Sequence, residues 1–251
     1  MLNEIPLTTF TIICAPHVFA ELASISIISV DSWAFNMPYQ IIRFRQDDMA
    51  ARCRVDLNNL PNLLTARPWT EFSVNEGSSL KAYTTYEYFL RRTPSLMATL
   101  HLTKSAEADA MFTKLTSFSF TAIFPFYNHV DEILKSVRKM KHLRTLCLKL
   151  CPEPESTVLA DEIEDAKGHL DVNDPWNEFD TAYMLVSHTV IALTVEGQLS
   201  ELRVDDVKME GIRDTLETLI SSRLQEWWSY EERGIWRRKT QPVPQTAVPA
   251  S

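Results

Sequence analysis

Eight segments of the 251-residue chain share one spacing of apolar residues: an anchor, a second three positions on, and a third two beyond that. They are Leu7-x-x-Phe10-x-Ile12, Leu22-x-x-Ile25-x-Ile27, Tyr39-x-x-Ile42-x-Phe44, Trp69-x-x-Phe72-x-Val74, Met97-x-x-Leu100-x-Leu102, Leu115-x-x-Phe118-x-Phe120, Leu143-x-x-Leu146-x-Leu148 and Leu199-x-x-Leu202-x-Val204. The last two anchors of each alternate with one intervening residue, the period of a strand with one buried face. From Tyr39 onward the first anchors step by 30, 28, 18, 28 and 56 residues, and the last step is two units of 28. Repeats of roughly 20–29 residues, each one strand plus one helix, stack so that neighbours bury what one repeat alone cannot.

Helical periodicity fills the intervals. In VDEILKSVRKMKHL, Val130, Ile133, Leu134, Val137 and Met140 form one stripe, with Asn128 as a candidate N-cap and Asp131 in the first turn. Asp174-Pro175 opens a helix through Trp176, Phe179, Tyr183, Val186, Val190 and Leu193 that Gly197 can stop. Ser79 to Arg92 and Ile212 to Trp228 read as two more. Strands alternating with helices predict an α/β leucine-rich-repeat-like solenoid, a horseshoe with parallel strands on one face and helices on the other. It would occupy residues 1–239 as a single domain, with an acidic insertion near 152–174 and a disordered, proline-rich tail at 240–251. Either that insertion faces the basic run from Lys135 to Lys149 that precedes it, or it docks a basic partner. Trp227, Trp228, Tyr230 and Trp236 are candidates to cap the last repeat.

Composition excludes several functions. Only five glycines are present, too few and too scattered for a loop that cradles phosphates. A net charge of −8 argues against duplex nucleic acid. No apolar run is long enough for a membrane span, and no basic region precedes the apolar N-terminal patch as in a secretory signal. Four scattered cysteines without a C-x-x-C, and no Asn-x-Ser/Thr site, suit an intracellular, cytoplasmic or nuclear, location.

The four-residue spacing of Cys147 and Cys151 invites a metal or redox assignment. On an extended strand their Cα atoms stand about 13 Å apart at ~3.3 Å per residue, beyond the roughly 7 Å that a disulfide spans. Zinc would need two more ligands, and only His142 is near in sequence. A calcium loop through Asp171, Asn173 and Asp174 lacks its turn glycine and closing glutamate. The sequence therefore predicts no metal, no cofactor and no catalytic residue. The enzyme alternative is a small hydrolase in which His101 meets Ser119 on a neighbouring strand; the other is a degenerate chain with no partner.

Residues between anchors point away from the buried side. They predict a protein-binding strand face composed of Arg43, Arg45, Glu71, Ser73, His101, Thr103, Ser119, Thr121, Cys147, Lys149, Arg203 and Asp205. The function that follows is a non-catalytic scaffold binding a protein substrate.

The segments FPFYNHVDEILKSVRKMKHLRTLCLKLCPEPEST, NDPWNEFDTAYMLV, GQLSELRVDDVKMEGIRDTLE and LQEWWSYEERGIW, in that order, resemble the repeat region of filamentous-fungal F-box proteins over about residues 95–239. In that family the F-box holds a Skp-type adaptor of a cullin-RING ubiquitin ligase and the leucine-rich repeats bind substrate. No F-box is found here, where the repeat pattern starts at Leu7. The resemblance thus implies the substrate-recognition half, with a Skp-type adaptor as partner only if an F-box exists outside this chain.

Overall fold

The computed structural model describes residues 8–25, 40–47, 62–85, 88, 95–102, 105–167 and 169–240. Leu7, Ile27, Tyr39, Thr103, residues 86–87 and 89–92 of the helix expected to run on to Arg92, and the tail beyond residue 240 lie outside them. The described strands are β1 (Thr9–Cys14), β2 (Gln40–Arg45), β3 (Glu71–Ser78), β4 (Ser117–Ile123), β5 (Thr145–Lys149), β6 (Glu201–Val204), β7 (Trp228–Tyr230) and β8 (Ile235–Arg238). They form one sheet in the order β1-β2-β3-β4-β5-β6-β8-β7. From β3 to β6 every pairing is parallel, whereas β1, β2 and β3 pair antiparallel, as do β6, β8 and β7.

Six of the eight anchor segments lie on these strands, and their register explains the spacing. Phe44, Phe72, Phe118, Leu146, Leu202 and Trp236 are cross-strand neighbours in one row; Ile42, Val74, Phe120, Leu148 and Val204 form the next. All are buried on one face of the sheet. Phe44 and Phe72 sit 4.9 Å apart, and Phe72 and Phe118 6.0 Å, so aromatic contact runs across three strands. The first anchors Trp69, Leu115, Leu143 and Leu199 are buried just before their strands. Backbone bonds from Thr116 N–H to Thr70 C=O, Arg144 N–H to Thr116 C=O and Ser200 N–H to Arg144 C=O carry the pairing one residue past the strand ends.

Two segments with the same spacing have their described residues off the sheet. Leu22 ends helix α1 (Pro16–Leu22), and Met97, Leu100 and Leu102 lie in helix α2 (Leu96–Leu102). The first two anchors, at i and i+3, share one face of a short helix as readily as they flank a strand, and so short a run carries little more to separate the two. The antiparallel pairing of β1 and β2 has a related cause: period-two alternation fixes which face is buried, not which way the chain runs.

The remaining helices are α3 (Ala106–Phe112), α4 (Tyr127–Arg138), α5 (Val158–Asp165), α6 (Asn173–Glu196) and α7 (Glu210–Leu224). Val130, Ile133, Leu134 and Val137 of α4 join Phe179, Tyr183, Val186 and Val190 of α6 and Leu216, Ile220 and Leu224 of α7 in one core cluster with the inward strand residues. The helix expected from Ser79 begins as a 3-10 turn, Leu80–Thr84. Asn128 does not cap α4; it lies inside the helix, and Glu178 of α6 accepts the Tyr127 N–H at 2.6 Å instead. Gly197 does end α6, in an extended conformation rather than a left-handed one.

The C-terminal aromatics close the sheet by forming strands. Trp228 and Trp236, on the β7–β8 hairpin, are both buried, and their indoles donate to Thr194 Oγ1 at 2.8 Å and Ser221 Oγ at 3.0 Å. The turn between them needs Gly234, at φ 77°, because a Cβ there would stand 2.2 Å from the Val204 carbonyl oxygen. The acidic insertion contains α5, none of whose residues is buried. Of the preceding basic run, Lys149 reaches this segment, at Glu153. Lys135 and Lys139 pair elsewhere, with Asp131, Glu132 and Asp109, and Arg138 donates to Thr189.

Candidate strand-face binding site

Because alternate side chains leave a strand on opposite sides, the register that aligns the buried rows aligns the outward ones too. One outward row reads Arg45, Glu71, Ser117, Thr145, Glu201 and Arg237 across β2, β3, β4, β5, β6 and β8. The next reads Arg43, Ser73, Ser119, Cys147 and Arg203, and the third Ile41, Asn75, Thr121 and Lys149. The helices join the core cluster of the opposite face, and no described element covers this polar one.

Nine of the residues expected on the binding face, Arg43, Arg45, Glu71, Ser73, Ser119, Thr121, Cys147, Lys149 and Arg203, are therefore brought together on strands. Asp205 sits one residue past β6, in a 3-10 turn, where it pairs with Lys208 at 3.1 Å. His101 is a correction: it lies on α2 in the helical layer, with Nε2 4.0 Å from Glu132 Oε2. Burial, with Lys139 second, lowers its pKa. The supposed alignment with Ser119 came from taking Met97–Leu102 as a strand, so the Ser–His pair loses its histidine. Thr103 lies outside the described residues.

The face holds a cleft in two lobes of about 430 and 450 Å³. Arg43, Ser73 and Ser119 line one lobe; Arg144, Thr145 and Arg203 line the other; Arg45, Glu71, Ser117 and Cys147 are common to both. Arg45 meets Glu71 at 3.5 Å. Glu201, nearly buried, is gripped from two sides by Arg203 and by Arg237, the latter at 2.9 Å. The hydrogen bond to Glu201 raises the Arg203 pKa further above its ordinary value. Cys147, in the middle, has its thiol pushed up to about 11 by burial, partly offset by Arg203. It is a protonated, weakly nucleophilic group at neutral pH. The alternation also puts Thr145 on this face, whereas Ser117 and Glu201, two positions before Ser119 and Arg203, were missed. Extending the same alternation toward the N-terminal end of each strand finds them. Arg144, in the ladder just ahead of β5, has no signal beyond being a charge beside a buried leucine.

Cys151 faces the other way. It is buried, with Sγ 2.9 Å from Asp206 Oδ1 and 3.0 Å from Met209 Sδ. Asp206 is a buried carboxylate that also accepts the Leu150 and Cys151 N–H groups at 2.7 and 3.0 Å and the Tyr183 hydroxyl. Burial raises its pKa, and raises those of Tyr183 and Cys151 strongly, with the neighbouring Asp206 adding to both. The group ties the end of β5 to α6 and to the turn after β6. A second buried carboxylate, Glu76, accepts the Leu96 N–H at 2.8 Å and the Ser95 hydroxyl at 3.0 Å at the start of α2, and lies 2.8 Å from His129 Nε2. Both acids serve backbone groups that the fold would otherwise leave unsatisfied. Asp171, part of the calcium reading, accepts the Asn173 N–H at 2.9 Å where α6 begins.

Among the described residues, no group of three or more His, Cys, Asp or Glu side chains could hold a metal ion, and no helix is long and apolar enough to cross a membrane. Comparison with protein-family models, curated proteins and solved structures gives no match.

Proposed function

We propose that this chain is a protein-binding scaffold that holds its partner on the open strand face and does no chemistry on it. The carrying observation is the register: five strands present Arg43, Ser73, Ser119, Cys147 and Arg203 in one row that no described element covers, backed by a closed core. A rigid backing with polar, individually variable side chains is what recognition of another protein needs. The four parallel strands with buried first anchors support the leucine-rich-repeat-like description of the central part. By the resemblance of residues 95–239, the scaffold is the substrate-recognition part of an F-box subunit of a cullin-RING ubiquitin ligase. A Skp-type adaptor then joins it only through an F-box outside this chain.

Affinity capture from a fungal lysate with the wild-type chain and with Ser119→Trp tests this. The indole would fill the centre of the face without touching the core. A partner recovered by the wild type and lost by the variant, at equal stability, is the expected outcome. A partner retained equally by both chains would place binding elsewhere and end this proposal.

A further inference from the structure

The strand-face cleft is cationic in a chain whose net charge is −8. Arg43, Arg45, Arg144 and Arg203 line it, and among the described residues Glu71 is the one carboxylate in its lining. Glu71 is already matched by Arg45, and Arg203 by Glu201 beside the cleft. Among the described residues, no carboxylate lies within ion-pair distance of Arg43 or Arg144. These two guanidiniums belong to different lobes, Arg43 with Ser73 and Ser119, Arg144 with Thr116 and Thr145. Each lobe thus offers a planar fork of donors suited to a carboxylate, beside hydroxyls that can donate as well.

Their separation sets the length of what fits. Arg43 and Arg144 are three strand spacings apart across the sheet and three residues apart along it. At ~4.8 Å per strand and ~3.3 Å per residue, that is about 17 Å on the diagonal, or about five residues of extended peptide. We infer that the cleft binds an extended acidic segment of a partner protein, with carboxylates four or six residues apart, and so on one side of the extended segment, on Arg43 and Arg144. This rests on the scaffold reading above and adds the chemistry of the ligand. The overall charge favours a short acidic segment over a long polyanion. A segment confined to the cleft meets the arginines within a Debye length of about 8 Å, while a nucleic acid running beyond it meets the acidic remainder of the surface.

The probe is a labelled peptide with two glutamates four or six residues apart in a Ser/Ala background, followed by fluorescence anisotropy. Binding should weaken by about tenfold or more between roughly 50 and 300 mM salt. The double variant Arg43→Glu/Arg144→Glu should weaken it at least about tenfold, with circular dichroism unchanged; Lys81→Glu, on the 3-10 turn, should leave it intact. A peptide with adjacent glutamates should bind more weakly. No binding at low salt, or binding indifferent to the double variant, overturns the inference. So does tighter binding of an equally charged single-stranded oligonucleotide, full displacement by inorganic phosphate, or self-association abolished by the same variant, which would make a second copy's acidic segment the occupant. If Ser119→Trp loses a captured partner and the double variant keeps it, this inference fails and the scaffold stands. If neither substitution matters, both fail.

Discussion

At the scale of single residues, the buried Asp206 and the half-buried Cys147 make opposite statements. Asp206→Ala would leave the Leu150 and Cys151 N–H groups and the Tyr183 hydroxyl without their acceptor. At ~1–3 kcal/mol per orphaned group, with partial relaxation, urea denaturation should show a loss of about 3–5 kcal/mol. The raised pKa of Asp206 also has a pH signature. An acid whose folded pKa lies above its unfolded one binds its proton more tightly in the native state, so it favours folding at low pH. That advantage fades as pH rises from the ordinary carboxylate range through the raised value. Wild-type stability minus that of Asp206→Asn should therefore decrease with rising pH over that window, and a flat difference would contradict the assignment. Cys147, with its thiol near 11 against an ordinary 9.0, should carry about a hundredfold less thiolate than a free cysteine at pH 8. Its alkylation by iodoacetamide, followed by mass spectrometry, should be slow at pH 8 and still accelerating above pH 10.

At the scale of elements, the starts of α2 and α4 are held by Glu76 and Glu178, groups far away in sequence. Glu178→Ala removes the acceptor at the start of α4 and should cost about 1–2 kcal/mol, read as a lower thermal midpoint. The hairpin turn at Gly234 has a stricter requirement. Gly234→Ala places a methyl group 2.2 Å from a backbone oxygen at a positive φ. The turn must move, and β8 with it, at an expected cost of about 3 kcal/mol or more. If Gly234→Ala proved neutral by denaturation, the close approach of β8 to Val204 would be wrong.

At the scale of the molecule, one sheet has one face covered by helices and one that no described element covers. Leu148→Ala and Trp236→Ala both open cavities in the covered side and should each cost about 3 kcal/mol or more. Ser73→Ala on the open side should change stability by about 0.5 kcal/mol or less. The contrast, measured on one denaturation scale, tests the two-sided architecture directly. Equal costs on both faces would mean that the polar side is covered too.

On β2 to β6 the alternation of anchors determined by itself which residues are buried and which face outward. Burial of one face is a local, periodic demand, and Phe72, Phe118, Leu146 and Leu202 each announce it within six residues. The same alternation placed Arg43, Ser73, Ser119, Cys147 and Arg203 in one row before any neighbour was known. Only the tertiary structure decided that Leu22 and Met97 belong to helices, that β1 and β2 run antiparallel, and that His101 stands among helices rather than beside Ser119. Apolar spacing carries no strand direction and, over so short a run, no choice between strand and helix. The buried acids were equally illegible. Glu76, Glu178 and Asp206 look like surface charges in the sequence, and only the fold brings them to the backbone donors, up to 56 residues away, that make their burial tolerable.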